Sequence, residues 1–93
     1  MRVGVLVLEL YLPGALSLKD KRRVVRGLKD RCRARFNVAV AEVDHQDLQQ
    51  RAGIAFSSVA GDEATLHGLF DRLREEAEAV TGGRVAVVSR EIL

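Results

Sequence analysis

From Arg2 to Leu12 the chain is dense in Val and Leu. Such a run suits a strand covered on both faces in the middle of a sheet. Pro13-Gly14 ends it and turns the chain toward Ser17. The rhythm then changes. Leu18, Val24, Val25, Leu28 and Cys32 fall in one arc at 100° per residue, which predicts a helix over 17–35. Ser17 with Asp20 three residues on forms its capping box. Lys21 reads as an arc-edge residue whose methylenes lie along the apolar face while its ammonium reaches water. Phe36 to Val43 reads as a second strand, Asp44 to Asp47 as a polar turn, and Gln50 to Val59 as a third strand paired in a hairpin. Gly61-Asp62-Glu63 opens a second helix, in which Leu66, Leu69, Phe70, Leu73, Ala77 and Val80 repeat at helical spacing before Gly82-Gly83 stops it. Arg84 to Ile92 is a last strand.

The order βαββαβ predicts a single α+β domain over residues 1–93. Right-handed crossovers favour a ferredoxin-like arrangement, a four-stranded antiparallel sheet with two helices on one face and strands one and three central. Strand parity sends Leu6, Leu8, Leu10, Phe36, Val38, Val40, Ile54, Phe56, Val85 and Val87 toward the helices. The open face receives Val3, Val5, Val7, Glu9, Tyr11, Ala39, Ala41, Gly53, Ala55, Ser57, Ala86 and Val88. Its small apolar side chains predict a homodimer face at Val3, Val5, Val7, Ala39, Ala41, Gly53, Ala55 and Ser57.

Charge adds a second theme. The formal total is only +2, yet nine of the fifteen Lys and Arg lie between Ser17 and Arg35. Opposed there only by Asp20 and Asp30, they give that segment +7, against −5 for the rest. Lys19–Arg23, Arg22–Arg26, Lys29–Arg33 and Arg31–Arg35 are repelling i,i+4 pairs; Arg26–Asp30 is the one favourable pair. Lys19, Arg22, Arg23, Arg26, Lys29 and Arg33 are therefore candidate contacts for nucleic-acid phosphates. The competing reading is a solvated helix balanced by the acidic second helix. The four aromatics, Tyr11, Phe36, Phe56 and Phe70, make no base-stacking platform.

Other chemistry is sparse. The single Cys excludes an intramolecular disulfide and reads as a buried, reduced thiol in the cytosol. The N-terminal apolar run is too short to span a bilayer and lacks a signal-peptide cleavage site, so no membrane association is expected. Asp44, His45 and Asp47 read as a turn rather than a metal site, and His67 near Asp71 as a surface residue. Glu9 interrupts a central strand, where Arg51 has matching parity; a structural Glu9–Arg51 ion pair is expected. An acylphosphatase of this size needs an Arg in a phosphate-cradling loop after strand one. Pro13-Gly14-Ala15-Leu16 offers none, although Asn37 is present. Neither a catalytic constellation nor a cofactor motif is evident.

Ser17-Leu-Lys-Asp-Lys-Arg22, Phe36-Asn-Val-Ala-Val-Ala-Glu-Val43 and Asp44-His-Gln-Asp-Leu-Gln-Gln-Arg51 together resemble the YlxP-like family of small bacterial proteins, a domain of unknown function. The resemblance implies a ferredoxin-like fold and a bacterial cytoplasmic protein. Genes of such proteins often neighbour translation and ribosome-maturation factors, which points toward RNA. Gln49 stands where many relatives have Trp. Two functional readings follow: a non-catalytic protein that holds RNA or the ribosome through its basic helix, or a homo-oligomeric regulatory or scaffold module binding a protein or small ligand at its interface.

Overall fold

A computed structural model describes all residues, 1–93. Its elements are β1 (Arg2–Tyr11), α1 (Leu18–Arg35), β2 (Ala39–Asp44), β3 (Arg51–Ala60), α2 (Glu63–Thr81) and β4 (Val85–Ile92). The sheet order is β2-β3-β1-β4, with every neighbouring pair antiparallel. This is the ferredoxin-like fold. Two split β-α-β units interlock, so β1 and β3 sit centrally and the helices share one face.

Alternation along the central strands produces the core. Leu6, Leu8 and Leu10 of β1 and Ala52, Ile54 and Phe56 of β3 are buried, and they meet Val25, Leu28 and Cys32 of α1 and Leu66, Phe70, Leu73 and Ala77 of α2. Gly4 also faces α2. A Cβ there would lie 2.6 Å from Phe70 Cζ, so the helix closes onto the strand only over a residue without a side chain. Ser58 continues the inward parity of β3, and its hydroxyl donates to the Asn37 carbonyl at 2.6 Å.

Local signals fix the helix ends. Ser17 Oγ accepts from Asp20 N at 3.0 Å. Asp20 Oδ2 reaches one residue further back than a capping box requires, accepting from Leu16 N at 3.1 Å. In α2, Asp62 caps Thr65 N at 2.8 Å, and Gly82 at φ 66° ends the helix in the left-handed region.

Three expectations are corrected. Strand two begins at Ala39 rather than Phe36, because Phe36 serves as the C-cap of α1 and Val38 N bends back to the Phe36 carbonyl. A register shift between Glu42 and Asp44 leaves Val43 without a partner and lays Asp44 over Gly53. Gly53 is consequently buried, its virtual Cβ 2.7 Å from Asp44 Cβ, and drops out of the exposed sheet face. Val87 pairs with Leu8 on the helix side yet is 42% exposed, since β4 is an edge strand.

Candidate nucleic-acid interface on the first helix

Because α1 turns its apolar arc onto the sheet, its cations divide by position. On the flank nearest α2, Arg31 Nε lies 3.3 Å from Glu76 Oε2, and Arg35 Nη1 donates to the other oxygen of the same carboxylate. Arg33 Nη2 donates to Asp30 Oδ1 at 2.9 Å. That contact replaces the expected Arg26–Asp30 pair. Lys19, Arg22, Arg23, Arg26 and Lys29 have no carboxylate within salt-bridge distance. They span about 120° of the helix at 100° per residue and about 15 Å of its length. Of the six candidate phosphate contacts, five are thus unpaired, and Arg33 is engaged locally.

The second helix places no carboxylate in an ion pair with this stripe. Its Glu63 lies 3.6 Å from Arg2, Asp71 accepts from Arg90 at 2.9 Å, and Glu78 lies 3.6 Å from Arg74. Glu76 alone reaches α1. Arg90 also approaches His67 Nδ1 at 3.4 Å, so His67 and Asp71 converge on one guanidinium.

Lys21 departs from the edge-of-arc reading. It is fully buried. Its Nζ donates to the carbonyls of His45 (2.8 Å), Gln46 (3.2 Å) and Arg51 (3.2 Å), using all three ammonium protons. Glu42 Oε2 lies 3.0 Å away as the counter-charge; it accepts no hydrogen bond, because the protons point at the carbonyls. Two signals locate this cluster in sequence. Lys21 precedes Leu28 by two turns, placing it only 20° from that core position, and the inward parity of Val38 and Val40 continues to Glu42.

On the open sheet face, the structure brings Glu9 and Arg51 together. Arg51 Nε donates to Glu9 Oε1 at 2.8 Å, and Nη2 donates to the same oxygen. His45 Nε2 lies 3.0 Å from that oxygen, and the guanidinium stacks 5.6 Å from the Tyr11 ring centre. The hydrogen bond from Arg51 holds the Glu9 carboxyl below its ordinary range, and Glu9 in turn holds Arg51 above its own. His45 takes φ 58°, a left-handed backbone that composition did not announce. Cys32 is buried on the inner side of α1, and burial pushes its thiol up to about 11. No three His, Cys, Asp or Glu side chains converge as metal ligands. No helix is long and apolar enough to cross a membrane.

Comparison with known proteins adds a family and a fold. Residues 3–90 match the model of a family described as "Protein of unknown function (DUF503)". An uncharacterized protein YlxP from Bacillus subtilis (strain 168) is 33% identical over 58 residues, which cover 62% of this chain and 63% of that protein. The crystal structure of a putative chlorite dismutase superposes with TM-score 0.50 at 19% identity, over 99% of this chain and 43% of the other. The latter likeness is one of fold alone.

Proposed function

The chain belongs to the DUF503 family of unknown function, and within it we propose a protein that binds the phosphate backbone of RNA through the outer face of α1. One observation carries the reading. Every other charged side chain of that helix is engaged or buried, whereas Lys19, Arg22, Arg23, Arg26 and Lys29 stand together without partners. Mutual repulsion among like charges at i,i+4 costs a few tenths of a kcal/mol per pair, and an anionic strand laid along the stripe relieves it. With no aromatic platform beside the stripe, binding reads charge and not bases.

Fluorescence anisotropy with a labelled single-stranded RNA tests this. Five phosphate contacts predict an affinity loss of about 10²–10³-fold between 50 and 200 mM salt, with Kd on the order of 10⁻⁴–10⁻⁶ M at physiological salt. Arg22→Glu/Arg23→Glu/Arg26→Glu abolishes binding and leaves the circular dichroism spectrum unchanged. Arg74→Glu, off the stripe, binds as the native protein does. Native-like binding by the triple variant, or none by the native protein at 50 mM salt, refutes the reading.

A further inference from the structure

The side of the sheet opposite the helices has relief. Val3, Val5 and Val7 of β1 form a ridge of branched side chains. Beside it, Ala39 and Ala41 of β2 with Ala55 and Ser57 of β3 form a trough. Register places Val7 opposite Ala55 and Val5 opposite Ser57, then Ala41 opposite Ala55 and Ala39 opposite Ser57. Two adjoining hollows of about 190 and 240 Å³ lie along the trough; Val5 borders one and Val3 the other. Ridge and trough run parallel, side by side, on the two central strands and β2.

We infer that this face is the docking surface for a second copy of the chain, with the valine ridge of each copy seated in the alanine–serine trough of the other. A two-fold axis along the strands, between β1 and β3, carries each β1 over the partner's β3. It brings both ridges to troughs in one step. Four strands about 4.8 Å apart and about eight residues long at 3.3 Å give a footprint of about 500 Å² before relief is counted. That approaches the roughly 800 Å² of accessible surface per partner in a stable interface. Small side chains in the trough also allow the usual sheet-to-sheet spacing of about 10 Å.

Charge argues for a second copy over a polyanion. The ionised groups on this face are Glu9, Arg51, Asp44 and Glu91. Glu9 and Arg51 neutralise each other, Asp44 lies beside them near one end, and Glu91 sits on the edge strand β4. The middle of the face is uncharged, and its remainder is acidic. The basic stripe of α1 lies on the far side of the molecule. A sheet-to-sheet dimer therefore leaves both stripes exposed.

Sedimentation of the nuclease-treated protein at 0.5 M salt and 50 μM gives the mass of a dimer, twice the 10.2 kDa chain. Ala55→Arg, whose new side chain has open solvent in the monomer, sediments as a folded monomer. Chains carrying Val7→Cys, mixed with chains carrying Ala55→Cys and oxidised, form the mixed disulfide faster than either variant pairs with itself. The triple charge reversal on α1 remains dimeric, which separates this proposal from RNA binding. A native monomer, a dimer that survives Ala55→Arg, or no preference for the mixed disulfide overturns it.

Discussion

Lys21→Met removes the buried ammonium while keeping most of the side chain's volume, so its cost measures polar satisfaction and not a cavity. The Glu42 carboxylate loses its only counter-charge, and the carbonyls of His45, Gln46 and Arg51 lose a shared donor. Removing one partner of a buried ion pair costs about 3–5 kcal/mol. The carbonyls belong to a turn and a strand end where water regains access, which places the loss at about 3–4 kcal/mol rather than higher. A 93-residue domain holds about 5–14 kcal/mol in total, so about a fifth or more of the fold's stability rides on one amine. Urea unfolding followed by circular dichroism reads the loss. At an m-value of about 1.5 kcal/mol/M the midpoint falls by about 2–3 M. Lys21→Met/Glu42→Met, which leaves no isolated charge, recovers part of it. A single variant within about 1 kcal/mol of the native protein, or a double variant no more stable than the single, refutes the argument.

Two further perturbations probe the core and the sheet face. Gly4→Ala sets a methyl 2.6 Å from Phe70 Cζ and 3.2 Å from Leu66 Cδ1 in a filled core; it costs about 1–3 kcal/mol by urea unfolding, while Gly14→Ala, with open space around it, stays within about 0.5 kcal/mol. Equal effects at the two sites contradict the packing account. Glu9, whose carboxyl is held below the ordinary 4.5, contributes stability that is present above that value and lost as pH falls through the folded-state value. Thermal melts from pH 7 to pH 3 record the decline, and Arg51→Met flattens it; an unaltered pH profile in that variant rules out the pair as its source.

Elements with strong periodicity were legible, because helical spacing of Leu66, Phe70, Leu73 and Ala77 and alternation of Leu6, Leu8 and Leu10 have one compact solution. The shared parity of Glu9 and Arg51 likewise pointed to one face of adjacent strands, where the register sets them diagonally, Glu9 opposite Gly53 and Arg51 opposite Tyr11. Register shifts were not legible. One unpaired residue at Val43 lays Asp44 over Gly53, and nothing in Ala-Glu-Val-Asp distinguishes that strand from a regular one. The basic helix misled in a different way. The arc-edge reading of Lys21 laid its methylenes along the apolar face but sent its ammonium to water, although Lys21 shares the phase of Leu28, and spacing gave no partner for Arg31 and Arg35 on the flank shared with α2. Residue type suggested solvent for all nine, whereas angular position decided each.

The grip of Lys21 falls on main-chain oxygens at residues 45, 46 and 51, and every amino acid supplies such an oxygen. The shape of the β2–β3 connection is thereby dictated from outside itself, by a helix more than twenty residues earlier in the chain. Asp44, Gln46 and Gln50, at the two ends of the connection, add side-chain hydrogen bonds to the backbone, whereas the side chains of Asp47, Leu48 and Gln49 between them make none. Those three positions can change their chemistry without changing the path of the chain, because the constraint on its form is held around them and by a remote lysine.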